Sequence, residues 1–221
     1  MPSRPLLLGH RGARSEKSVP ENTFDSFDLA LAYGCDGIEF DVRLSADKRA
    51  VICHDPKIHA LEIAQSSGKE LGLPLLEEVL DRYRRKAFLD VELKVPGLEL
   101  VAAKLLKKFL PDRGYVISSF LPQVLQAIRS LDQGIPLGFI CDTRAAFQKW
   151  RHLPIEYVIP QSQLLSKSGV SELKAAGKKI LVWTVNASAD MKRFGSWGVD
   201  GIISDYPKRL SRMFNDQAGK L

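Results

Sequence analysis

The sequence is poor in cysteine. Cys35, Cys53 and Cys141 are its only three, widely spaced, and each lies in or beside an apolar stretch. That excludes a disulfide-built scaffold and points to reduced core thiols in a reducing compartment. Long hydrophobic runs are also missing. The N-terminal "PLLLG" is far too short for a signal sequence or a membrane span, so no stable membrane insertion and a cytoplasmic location are expected. No basic run is interleaved with aromatics, which argues against nucleic acid as a partner. No glycine-rich fingerprint follows the first apolar run, which argues against a dinucleotide-binding open sheet. No linker, low-complexity segment or local repeat interrupts the chain, so one domain over residues 1–221 is expected.

What is present is a regular alternation. Strand-type runs fall at 5–9, 36–42, 86–94, 114–119, 136–142, 156–160, 178–185 and 199–204, with helical patterns between them. The first helix spans 22–34, with Asn22 as its N-cap, Asp25 in the first turn and Gly34 at the stop. The strand runs are nearly continuously apolar, as parallel strands buried on both faces are. One extra run, "RAVICH" (49–54), follows Val42 too closely for a parallel crossover and implies a hairpin return. Eight strand–helix units predict an α/β fold: a TIM (β/α)8 barrel with a β-hairpin extension after the second strand. A doubly wound sheet is the alternative.

Barrel active sites lie where the strands end. The first strand ends in His10-Arg11-Gly12, and the second, "GIEFDV", carries Glu39 and Asp41 two residues apart and so on one face. Two adjacent buried carboxylates are costly without a counter-charge. The hairpin return brings His54-Asp55 back, and the third strand ends in Glu92 and Lys94. Glu39, Asp41 and Glu92 together suit a hard dication such as Mg²⁺ or Ca²⁺. His10 and His54 are candidates for proton transfer, and Arg11 and Lys94 for holding a phosphate. The formal charge of +6 agrees with an anionic partner. An ion network from the acids to Arg43 or Lys94 is the plainer reading. Ser119 stands either against a phosphate or in a turn; Phe120 and Trp183 wall a substrate or belong to the core. Glu21 either favours the helix dipole or accepts a bond from a catalytic group. Asp205 reads as the start of a turn before Pro207, and His59 and His152 as surface or loop residues.

The stretches "GHRGARSEKSVPENTFDSF", "CDGIEFDVRLSADKRAVICHD", "LPLLEEVL", "FLDVELK", "VISSF", "LVWTVN" and "GVDGIISDYP" together resemble the glycerophosphodiester phosphodiesterase family, in order, from about residue 6 to 210. The resemblance implies a TIM barrel and metal-dependent hydrolysis of a small-molecule glycerophosphodiester to glycerol 3-phosphate and an alcohol. It implies His10 and His54 as the acid–base pair, Glu39, Asp41 and Glu92 as ligands to Mg²⁺ or Ca²⁺, and Arg11 and Lys94 as phosphate contacts. Lysophospholipase D-type hydrolysis and a non-catalytic phosphate-binding barrel are the alternatives; the oligomeric state is not legible. Family members usually carry a small inserted subdomain after "HD". Here Pro56 to Pro74 is short, so a more open site is expected, with "QSSGKE" (65–70) a bare loop.

Overall fold

The computed structural model describes residues 4–215. Strand β1 (Leu6–His10) is followed by α1 (Phe24–Ala32) and β2 (Gly37–Leu44). Next come β3 (Ala50–Ile52), a small hairpin of β4 (Lys57–Ile58) and β5 (Leu61–Glu62), the short α2 (Gly68–Leu71) and α3 (Leu76–Tyr83). The chain then alternates: β6 (Phe88–Leu93), α4 (Glu99–Lys108), β7 (Tyr115–Ser119), α5 (Pro122–Leu131), β8 (Leu137–Cys141), α6 (Arg144–Phe147), β9 (Tyr157–Pro160), α7 (Lys167–Ala175), β10 (Lys179–Val182), α8 (Ser188–Trp197), β11 (Gly201–Ser204) and α9 (Pro207–Asn215).

The eight parallel strands close on themselves. β1 pairs with β11 on one side and with β2 on the other, and the ring runs through β6, β7, β8, β9 and β10. This is the expected TIM barrel. The extra run returns as expected too: β3 is antiparallel to β2, with Val42 opposite Ile52.

Alternation along the strands divides the core. One face packs under the helices through residues such as Ile38, Phe40, Val91 and Ile117; the other fills the barrel with Leu8, Phe88, Val116, Leu181 and Ile203. The interior face, continued by steps of two, reaches His10 from Leu8, Glu92 from Phe88, Trp183 from Leu181 and Asp205 from Ile203. The functional side chains are thus the upper end of the barrel's own filling.

Two local expectations are corrected. Thr23, not Asn22, caps α1, its Oγ1 accepting from the Ser26 N–H at 3.3 Å. Asn22 takes a left-handed backbone (φ 57°) and uses its side chain elsewhere. The segment 65–70 is not bare: Ser67 and Glu70 form a capping box at the start of α2, and Gly68 N–H donates to Asp47 Oδ1 at 3.0 Å. Ile63 and Leu71 anchor this region on Val51 and Cys53.

Candidate active site

Glu39 and Asp41 project from one face of β2, and Glu92 from β6, where it pairs in register with Asp41. All three are buried, and each offers an oxygen within 4.8 Å of the others'. Two cations share the charge. Lys94 Nζ is 2.6 Å from Glu92 Oε1 and 3.3 Å from Asp41 Oδ1, and Arg11 Nε is 3.1 Å from Asp41 Oδ2. Arg43 does not join them; its Nε donates to the His54 carbonyl at 2.7 Å. Burial, then the neighbouring Asp41, pushes Glu92 up to about 7 and Glu39 well above the carboxylate range. Burial acts on Asp41 the same way, but Lys94 and Arg11 outweigh it and hold that group low. Two cations therefore do not neutralise the trio. Glu39 Oε1 is buried with no hydrogen-bond partner. An orphaned carboxylate oxygen among three convergent hard donors fits a dication.

The two histidines stand differently. His10 is buried, and its Nδ1 lies 2.6 Å from Asp205 Oδ1. Asn186 Nδ2 donates to the other oxygen of Asp205 at 2.7 Å, and Arg14 Nη1 donates to Oδ1 at 3.1 Å. These contacts, led by the His10 bond, overcome burial and hold Asp205 far below the usual range. Burial outweighs that same bond at His10 and lowers its pKa, favouring neutral imidazole. With Nδ1–H given to Asp205, His10 Nε2 is the free nitrogen, 3.7 Å from Glu39 Oε2. His54 is more open and sets its Nδ1 2.7 Å from Asp55 Oδ1. Both histidines, with Arg11, Glu39, Glu92, Lys94, Phe120 and Trp183, line one cavity of about 430 Å³.

The turn after β1 explains its sequence. Arg11 and Gly12 are both left-handed, at φ 51° and 83°. A Cβ on Gly12 would lie 2.6 Å from the Ser26 backbone, so only glycine fits. The turn aims the Arg11 N–H at Glu39 Oε2 (3.0 Å) and its Nη1 at Glu21 Oε1 (2.6 Å). Glu21 thus serves Arg11 and Arg14, not an imidazole. Phe120 meets Trp183 edge to face at 5.6 Å between ring centres, and Lys94 Nζ sits 5.6 Å above the Phe120 ring.

Ser119 is a correction. It is fully buried, donates to the Leu93 carbonyl at 2.7 Å and accepts from the Leu121 N–H at 3.1 Å. It closes the turn after β7 and does not line the cavity. Its neighbour Ser118 points inward and donates to Asp90 Oδ1 at 2.6 Å.

The Glycerophosphoryl diester phosphodiesterase family model matches residues 10–79 and 62–209. This chain belongs to that family. YhdW of Bacillus subtilis (strain 168) is 31% identical over 232 residues, covering 91% of this chain and 94% of its own. A glycerophosphodiester phosphodiesterase of Caldanaerobacter subterraneus is 29% identical over 236 residues, covering 93% and 96%. Among solved structures, an Oleispira antarctica phosphodiesterase in complex with the product sn-glycerol-3-phosphate superposes with a TM-score of 0.84 at 27% identity, over 96% of this chain and 97% of that one.

In this member of the family, four supporting residues escaped the sequence reading. In the sequence Asp205 reads as a strand-end acid that starts a turn and Asn22 as a cap, while Arg14 and Asp90 match no functional pattern by themselves. Asp90 carried a signal, since "FLDVELK" places it two residues before Glu92, on the same face. It is fully buried, burial pushes it up to about 7, and its Oδ2 is unpartnered.

Proposed function

We propose that this protein hydrolyses glycerophosphodiesters to glycerol 3-phosphate and an alcohol, with Mg²⁺ or Ca²⁺ held by Glu39, Asp41 and Glu92. The observation that carries the reading is a buried cluster of Glu39, Asp41 and Glu92 whose two glutamates line one cavity with both histidines, Arg11 and Lys94. The family membership and the product-bound relative support the substrate class.

A dication bound there would supply charge stabilisation to a phosphate oxygen. Arg11 and Lys94 hold the phosphate and share its charge as it builds in the transition state. His10 takes the proton from the attacking oxygen at Nε2, because Asp205 occupies its Nδ1. His54 as imidazolium gives a proton to the departing alcohol oxygen, its Nδ1–H remaining on Asp55.

The test is turnover of a glycerophosphodiester panel with EDTA, Mg²⁺ or Ca²⁺. Chelation should abolish activity, and His10→Ala or His54→Ala should lower kcat by about 10²-fold or more. Wild-type rates in both variants would end the reading. The apolar Phe120–Trp183 wall favours a second substrate class, lysophospholipids. A relative from Mus musculus, 22% identical over 275 residues, is named lysophospholipase D GDPD1. Phe120→Ala should then lower kcat/KM for a lysophospholipid more than for glycerophosphocholine.

A further inference from the structure

A chain of alternating charge runs around the end of β1, from the acidic cluster to His10. Asp41 Oδ2 is 3.1 Å from Arg11 Nε, Arg11 Nη1 is 2.6 Å from Glu21 Oε1, and Glu21 Oε2 is 2.7 Å from Arg14 Nε. Arg14 Nη1 is 3.1 Å from Asp205 Oδ1, the same oxygen that lies 2.6 Å from His10 Nδ1. His10 Nε2 is in turn 3.7 Å from Glu39 Oε2, so the chain nearly closes on the cluster it left.

The middle link is Arg14. Among the described residues, no other side chain pairs with both Glu21 and Asp205. Arg14 is also the most exposed member of the chain, at 40%, and it does not line the cavity that holds the two histidines. It therefore stands behind the reacting groups and does not face a substrate.

We propose that Arg14 is a positioning residue that joins the two halves of the site. Through Asp205 it fixes the His10 imidazole, and through Glu21 it fixes the Arg11 guanidinium. The inference rests on the hydrolase reading above for the roles of His10 and Arg11, and it adds a residue to which that reading gives no part.

An isolated exposed ion pair contributes little, but a guanidinium shared between two acids is a different case. Its donors lie in one rigid plane, so the two carboxylates it holds are fixed relative to each other. Glu21 needs that help. It has a long, half-exposed side chain, and holding Arg11 through one oxygen leaves it several rotatable bonds to lose. Its second oxygen, on Arg14, removes that freedom. The backbone on either side of Arg14 is anchored for the task. Ala13 N–H donates to Ser26 Oγ at 2.8 Å, and Ser15 N–H donates to the Asp205 carbonyl at 3.0 Å.

The test compares wild type with Arg14→Ala, Arg14→Lys and, as a control on the same loop, the exposed Lys17→Ala. One readout needs no turnover: the ¹⁵N-edited NMR resonances of His10 Nδ1–H and Arg11 Nε–H in the full chain with Mg²⁺. Arg14→Ala is expected to shift both resonances. With glycerophosphocholine it should also lower kcat and raise KM about fivefold each, the scale of one networked ion pair at each end. Arg14→Lys keeps the charge but loses the planar donor set, and should recover part of both effects. Lys17→Ala should change nothing. In an Asp205→Asn background Arg14→Ala should lower kcat no further, and in a Glu21→Gln background it should raise KM no further, because residues acting through one contact do not add. Full additivity in both backgrounds, or a lower melting temperature with both resonances and both kinetic constants unchanged, would overturn the assignment. Wild-type protein that cleaves no glycerophosphodiester with Mg²⁺ or Ca²⁺ retires the hydrolase reading instead, and the two resonances then decide by themselves whether Arg14 holds both ends.

Discussion

Asp205 lies 195 positions after His10, yet its Oδ1 is 2.6 Å from the His10 Nδ1. The contact exists because β1 and β11 close the barrel with Gly9 beside Ser204, which sets the next residues side by side at the mouth. Asp205 fixes which imidazole nitrogen is free. Asp205→Asn keeps the shape but removes the charge that holds Nδ1–H. It is expected to lower kcat by about 10²-fold with little change in KM, the size of an acid–base contribution. Asp205→Glu, which restores the charge at a different reach, should recover part of that loss. Steady-state kinetics on both variants checks this, and a fall in thermal stability with unchanged kcat would make Asp205 merely structural.

The acidic cluster sets a pH dependence for the metal-free protein. Asp90 and Glu92 are each pushed up to about 7, mainly by burial. Unfolded, they titrate near 4, about the value of free carboxylates. Between those values the folded chain binds more protons, so stability falls as pH rises through about 7. Asp41 and Asp205, held below the usual range, work the other way and lose their contribution as pH falls below about 4. Melting curves in EDTA should therefore peak near pH 4 to 5, about the unfolded carboxylate value, decline up to about pH 7 and level off above it. Saturating Mg²⁺ or Ca²⁺ should remove most of the decline, because a cation lets the acids ionise at little cost.

Asn22 supports the cluster from the loop before α1. Its Nδ2 donates to Asp41 Oδ2 at 2.9 Å, and its Oδ1 accepts from the Asp41 N–H at 3.3 Å. Asn22→Gly keeps the left-handed backbone and removes both bonds. It is expected to weaken dication binding by about 10- to 100-fold, as loss of a ligand's supporting bond does. Asn22→Ala adds backbone strain and should melt lower than Asn22→Gly. Calorimetric titration with Mg²⁺ or Ca²⁺ separates the affinity effect from the stability effect.

The thiols should be inert in the native state. All three cysteines are buried and unpaired, and burial pushes Cys35 and Cys141 up to about 12. Thiolate is the reactive form. Ellman's reagent at pH 8 is expected to react slowly with folded protein and with all three thiols in denaturant. Rapid labelling of the native chain would contradict the burial.

By itself the sequence determined the architecture and the outline of the site. Apolar runs alternating with helical patterns specify a barrel because strand and helix periodicities are local properties, and a spacing of two puts Glu39 beside Asp41 whatever surrounds them. Tertiary structure decided whatever depends on which face is inside and what lies across a closed ring. Ser118 and Ser119 differ in sequence only by parity, and the barrel interior assigned one to Asp90 and the other to the Leu93 carbonyl. The pairing of Asp205 with His10 waited on closure of β1 against β11, and the turn bearing His59 on the hairpin beside His54. Protonation of the buried acids is likewise a property of the fold, since desolvation and neighbouring charge arise only once distant strands are packed together.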